Sequence, residues 1–180
     1  MLLWILIIIG VITLDQLSKL LAVAFLKGEG SFVVINKVLR FTYVENRGAA
    51  FGMLDDQRWI FLLLSTIGIA AMIVFLFKFA KGENLLSCAL SFVIGGGIGN
   101  MIDRTFTGEK LFEGFVVDFI DFYAFPGIWM WVFNVADAFV CIGAGMMMLY
   151  LVLDLIKEVK NKKQAELEEL EELEGESDDV

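Results

Sequence analysis

The groups able to do chemistry in this chain are few, and aspartates in unusual places dominate them. There is no histidine among the 180 residues, which removes Ser-His and Cys-His nucleophilic pairs and His-ligated metals. Cys88 and Cys141 each lie in an apolar stretch, where neither a thiolate nucleophile nor a zinc site is favoured; no metal and no cofactor is expected. Carboxylates, hydroxyls and lysines remain. Asp137 stands inside a long apolar stretch, and Asp118 lies 19 residues earlier, in Gly114-Phe-Val-Val-Asp-Phe-Ile-Asp-Phe122. If that segment is extended, Asp118 and Asp121 point to opposite faces, so only one of them can share a site with Asp137. The separation is short enough for the segment to fold Asp118 back over the end of the apolar stretch. Two neighbouring carboxylates cannot both ionise cheaply, so they share one proton. Such a pair can hold a water, deprotonate it for attack on a peptide carbonyl and protonate the leaving amine.

The elements that must position these groups are membrane elements. Hydrophobic residues make up 58% of the chain and charged ones only 21%, too apolar for an ordinary soluble domain. Four stretches, approximately 2–26, 59–79, 84–103 and 128–153, are long enough to span a bilayer, which requires ~20 residues each. The first lacks a basic leader and a small-residue cleavage site, so it reads as a retained span. The net charge of −9 is local: all 14 Lys and Arg lie in residues 1–163 with 14 acids, and the other nine acids crowd the last 17 residues. This divides the chain into a four-span domain, 1–158, and a basic-then-acidic tail, 159–180, read as solvated. Lys78, Lys81, Lys157, Lys160, Lys162 and Lys163 share one side, which should be cytoplasmic, with both termini. The long connections 27–58 and 104–127 fall on the other side. Their Phe32–Val44 and Phe115–Phe122 stretches suggest short strands at the membrane surface, and Pro126-Gly127 marks the turn into the fourth span.

Depth brings the polar groups together. At ~1.5 Å per helical residue, Asp15 lies ~20 Å and Asn100 ~24 Å from the cytoplasmic face, and Asp137 ~13 Å below the outer one. Asn134, Asp137, Cys141 and Gly145 share one stripe, and Asn100, Asp103 and Arg104 share a side of the third span. Asp15 and Lys19, four residues apart, read most simply as a buried ion pair. Ser18 and Lys19 diverge too far around a helix to form a Ser-Lys device. Gly95 and Gly99 suit close helix packing, and the glycine run lacks a Gly-Lys-Ser/Thr ending, so nucleotide binding is not expected. The alternative is a small polytopic ion or proton transporter using Asp15, Asp137 and Arg104 as a relay, against which the chain shows no internal repeat.

Five blocks in order resemble the lipoprotein signal peptidases (signal peptidase II) of bacteria: Asp15-Gln-Leu-Ser-Lys19, Glu45-Asn-Arg-Gly-Ala-Ala-Phe-Gly52, Gly95-Gly-Gly-Ile-Gly-Asn-Met-Ile-Asp-Arg104, Val117-Asp-Phe119 and Phe133-Asn-Val-Ala-Asp-Ala138. The resemblance implies a mainly α membrane protein with four transmembrane helices, a small extracytoplasmic β-platform and an amphipathic outer helix. It implies a membrane-embedded aspartyl endopeptidase that removes the signal peptide from diacylglyceryl-modified prolipoproteins, cutting before the lipidated cysteine. By motif match Asp118 and Asp137 are its catalytic pair, with Asp15, Asn46, Asn100, Arg104 and Asn134 around the pair and the substrate. Partners implied are the lipidated precursor, membrane lipid and a cyclic peptide inhibitor of the globomycin type. No nucleic acid is expected, and the chain is expected to be a monomer. The place implied is the bacterial cytoplasmic (inner) membrane, with the site toward its outer face.

Overall fold

The computed structural model describes residues 1–47, 58–125, 127, 129 and 131–178. Its elements run α1 (Leu2–Leu26), β1 (Ser31–Ile35), β2 (Leu39–Asn46), α2 (Arg58–Lys78), α3 (Asn84–Phe106), β3 (Val116–Phe122), β4 (Val132–Phe133) and α4 (Val135–Asp178). Among the described residues, three helical segments are long and apolar enough to cross a membrane: Leu2–Leu26, Asn84–Phe106 and Val135–Glu166. The apolar part of α2, Leu62–Lys78, is shorter. Leu2, Leu6, Leu20, Leu64 and Met148 are all more than half exposed, an arrangement that suits surroundings of hydrocarbon and not water.

Helix α3 is the hub on which α1, α2 and α4 pack, and its glycines explain how. A Cβ at Gly95 would stand 2.8 Å from Cβ of Val11, and one at Gly99 would stand 2.5 Å from a carboxylate oxygen of Asp15. The Gly95/Gly99 pair therefore lets α1 approach, as small-residue packing requires. Gly96 does the same for α4, since a Cβ there would lie 2.5 Å from the Ala136 carbonyl oxygen. Between α2 and α3 the core is apolar: Ile69, Leu76, Ala80, Leu90 and Ile94 are buried together, with Trp4 and Ile8 of α1 against them.

The strands form one antiparallel sheet in the order β1-β2-β3-β4. It is fastened to α1 by a second cluster, Ala22, Val117 and Phe119, backed by Leu26, Phe41 and Tyr43. Its pairing shifts by one residue on β2 between Phe41, opposite Ile120, and Val44, opposite Asp118. Such a bulge re-aims side chains. Arg40 thereby sits opposite Asp121 and pairs with it at 2.6 Å, while Asn46, two residues beyond Val44, reaches Asp118.

Some expected boundaries move. The fourth apolar stretch does not begin its helix at 128: Val132 and Phe133 pair with β3, and α4 starts at Val135. Hydropathy alone does not separate an apolar strand from the start of an apolar helix. The depth assigned to Asp137 from a start at 128 is corrected accordingly, because Asp137 belongs to the first turn. The tail has helical backbone, for α4 continues unbroken to Asp178, with exposed pairs such as Lys162–Glu158 at 3.1 Å. The expected outer amphipathic helix is not among the described residues. Segment 48–57, with the second half of the Glu45–Gly52 block, lies outside them, as does the Pro126 turn.

Candidate active site

The first turn of α4 is built by its own sequence. Asn134 caps the helix: its side-chain oxygen accepts the backbone N–H of Asp137 at 2.9 Å, and the Asp137 carboxylate accepts the N–H of Asn134 at 3.2 Å. This reciprocal pair is a capping box with Asn and Asp in place of the usual Ser/Thr and Glu. A third free N–H of the turn, that of Ala136, is taken by Asp15 Oδ1 at 2.9 Å. Helix N-termini stabilise negative charge, so two carboxylates gather where α4 begins.

Strand β3 brings the second aspartate. Asp118 is 2% exposed, and both of its oxygens accept amides, from Asn46 Nδ2 at 2.8 Å and Asn134 Nδ2 at 2.6 Å. Burial pushes its carboxyl up to about 6; the Asp137 charge adds to the rise, and the Asn46 and Asn134 amides oppose it. Asp121 faces the other way, held by Arg40, so the two aspartates of the strand separate as their odd spacing requires.

Asn100 of α3 links the two halves. Its Nδ2 donates to Asp137 Oδ1 at 2.8 Å, while its Oδ1 accepts from Asn134 Nδ2 at 3.1 Å and from Lys19 Nζ at 2.9 Å. Arg104, one turn further, approaches the Asn100 carbonyl oxygen at 3.4 Å and lies in the field of Asp118, Asp137 and Asp103. The seven residues singled out in sequence, Asp15, Asn46, Asn100, Arg104, Asp118, Asn134 and Asp137, therefore meet in one polar cluster drawn from α1, β2, α3, β3 and α4.

Three members were not in that set. Lys19 pairs with Asp15 at 2.7 Å, as its spacing suggests, but equally with Asp103 at 3.0 Å. Gln16 Nε2 donates to Asp103 Oδ1 at 2.9 Å. Asp103 also accepts the backbone N–H of Val117 at 3.2 Å. The available signal was its place on the Asn100 side of α3; its partners are on other elements and out of reach of local spacing. Within this cluster four carboxylates, Asp15, Asp103, Asp118 and Asp137, stand against two cations, Lys19 and Arg104. A surplus of buried negative charge favours retention of a proton. Among the described residues no group of three or more Cys, Asp or Glu is disposed to hold a metal ion.

A cavity of about 560 Å³ opens onto the two aspartates, within the range of small-ligand sites. Asn46, Ser65, Asn100, Arg104, Asp118 and Asp137 supply its polar lining, and Gly68, Met72, Val93, Phe133, Val140 and Cys141 line it with apolar surface from α2, α3, β4 and α4. Two carboxylates opening onto one mostly apolar cavity, among helices that suit hydrocarbon, fit a membrane-embedded enzyme.

Comparison with known proteins makes the assignment specific. The family described as Signal peptidase (SPase) II matches residues 7–153, and the chain belongs to that family. The lipoprotein signal peptidase of Halothermothrix orenii is 38% identical over 145 residues, 81% of this chain and 92% of that protein. That of Caldanaerobacter subterraneus subsp. tengcongensis is 42% identical over 140 residues, 78% and 89% of the two chains. A bacterial membrane enzyme solved by the in meso method at 2.3 Å resolution superposes with a TM-score of 0.72 at 33% identity, covering 84% of this chain and 88% of that one. These relationships give the transporter alternative no support.

Proposed function

We propose that this chain, a membrane peptidase of the signal peptidase II family, removes signal peptides from lipoproteins by aspartyl chemistry, with Asp118 and Asp137 as the catalytic pair. The observation that carries the reading is the opening of both carboxylates onto one cavity whose lining is otherwise mostly apolar. Asp118, pushed up to about 6, holds the shared proton. Asp137, in the first turn of α4, acts as the base. A water between them gives a proton to Asp137 as its oxygen adds to the scissile carbonyl carbon, and Asp118 protonates the carbonyl oxygen. Collapse then breaks the C–N bond: the amine leaves with the proton from Asp137, and the new hydroxyl returns a proton to Asp118. The ground state is thereby restored. Asn46 and Asn134 orient Asp118, Asn100 orients Asp137, and Arg104 stabilises negative charge developing between them.

The substrate is a prolipoprotein carrying diacylglycerol on its cysteine, cut immediately before that residue. The mostly apolar lining supports this, because lipid chains left in hydrocarbon avoid about 0.8 kcal/mol per methylene of exposure to water. All four helices span the membrane: α2 has 21 residues, ~31 Å of helix at ~1.5 Å each. The lysines near the α2–α3 turn and after the α4 span put both termini in the cytoplasm. The sheet and the aspartate pair then lie toward the outer face of the bacterial inner membrane, where a cyclic peptide of the globomycin type would block the cavity of the monomer. Incubation of purified protein with a precursor carrying or lacking diacylglycerol tests the substrate. Cleavage of the lipidated form alone is expected, and equal cleavage of both would overturn the role given to the lipid.

A further inference from the structure

We infer that Lys19 sets the spacing of the aspartate pair by clamping the backbone in front of each aspartate. The inference rests on the aspartyl reading and extends it to a positioning residue. The residue before Asp137 is Ala136, whose N–H is held by Asp15 Oδ1 at 2.9 Å. The residue before Asp118 is Val117, whose N–H is held by Asp103 Oδ2 at 3.2 Å. Both holding carboxylates converge on one ammonium, Lys19 Nζ, at 2.7 and 3.0 Å. The third partner of that ammonium is Asn100 Oδ1 at 2.9 Å, and Asn100 itself donates to Asp137. An unbroken path, Val117 N–H to Asp103 to Lys19 to Asp15 to Ala136 N–H, therefore ties β3 to the start of α4 through α1 and α3.

The arrangement has the marks of a spacer. Lys19 is 3% exposed and Asp15 is fully buried, an expensive placement for charge. The ammonium has three oxygen partners within 3.0 Å, and Gln16 cross-braces the two carboxylates from a single amide, at 2.9 Å to Asp103 and 3.2 Å to Asp15. Gly99 keeps the space for it, since a Cβ there would collide with Asp15. Grip on main-chain N–H groups fixes where each strand or helix delivers its aspartate and leaves the reacting carboxyls to face the cavity. A compact ammonium suits three converging acceptors, whereas the planar fork of arginine does not.

The test compares wild type, Lys19→Arg and Asp103→Asn as full-length purified proteins in detergent, acting on a diacylglyceryl-modified precursor, with rates expressed per folded molecule from thermal unfolding. A misplacement of ~1 Å at the reacting groups costs on the order of 100-fold. Lys19→Arg, which keeps the charge, is therefore expected to lose roughly 100-fold in kcat with KM within about twofold, because no cavity-lining group changes. The pH at which its rate falls should also move, since coupling between the aspartates depends on their separation. Unchanged kcat per folded molecule and an unchanged pH profile would overturn the inference. If Lys19→Arg does not fold, Asp103→Asn decides by the same readouts: it loses one arm of the clamp and keeps an oxygen able to accept the Val117 N–H. Inactive wild type would sink the aspartyl reading itself, whereas active wild type with a fully active clamp variant sinks only the inference.

Discussion

Replacing Asp118 by asparagine should abolish cleavage and, in alkaline conditions, make the protein more stable. The carboxyl rises from an ordinary 3.8 to about 6, chiefly through burial. At about 1.4 kcal/mol per pH unit, this corresponds to about 3 kcal/mol of folding free energy lost once the native group must ionise. The sign follows from the direction of the rise. Below about 3.8 the carboxyl is neutral in both folded and unfolded chains and costs nothing; the penalty grows as pH climbs and is complete above about 6. Linkage puts it at about 3 kcal/mol near pH 8 and about half that near pH 5. Asparagine does not titrate, so it recovers this amount. Its one amide group opposite an amide donor can be accommodated by turning over Asn46, a cost that does not vary with pH. For a chain of this length about 1 kcal/mol moves the unfolding temperature by roughly 2–4 °C, so the Asp118→Asn shift should be roughly 3–6 °C more favourable at about pH 8 than at about pH 5. Thermal unfolding in detergent at both pH values, with cleavage measured on the same samples, is the assay. A shift that is the same at both would refute the burial argument for the Asp118 carboxyl.

Three other outcomes are expected. The rate per substrate encounter, kcat/KM, should fall with a slope approaching one as pH rises past about 6, because the reactive form requires a protonated Asp118; a flat profile between about pH 5 and 8 would contradict this. Gly99→Ala should cost about 1–3 kcal/mol and most of the activity, since its Cβ would lie 2.5 Å from the Asp15 carboxylate; an unfolding temperature equal to that of wild type would show that α1 and α3 can separate freely. Asp121→Asn removes a 2.6 Å pair to the partly exposed Arg40, so it should lose at most about 1 kcal/mol and little activity, and a dead enzyme would show that the strand presents its other face to the reaction.

Much of this site was legible in the sequence because helical rise is fixed. Asp15 and Asn100, placed by counting along two apolar stretches, do meet at the start of α4. Asp137 instead arrives there by standing in the first turn of a helix that begins later than its apolar stretch. The odd Asp118/Asp121 spacing does put the two aspartates of β3 on different partners. Two features were harder to read. Asn134 and Asp137, three residues apart, have the spacing of a helix stripe and equally of a helix cap; only the pairing of Val132 and Phe133 with β3 makes them a cap. Lys19 had an evident partner one turn away in Asp15, which concealed its second, Asp103, on another helix. Spacing along one element reports its own face, and contacts between elements depend on packing that small residues such as Gly96 and Gly99 allow.

The most direct measurement is single-turnover cleavage of a diacylglyceryl-modified precursor by wild type, Asp118→Asn and Asp137→Asn, with mass spectrometry of the products. The wild type should yield one new N-terminus, at the lipidated cysteine, and both variants should be inert while remaining folded. Undiminished cleavage by either variant would show that the pair does not carry the chemistry.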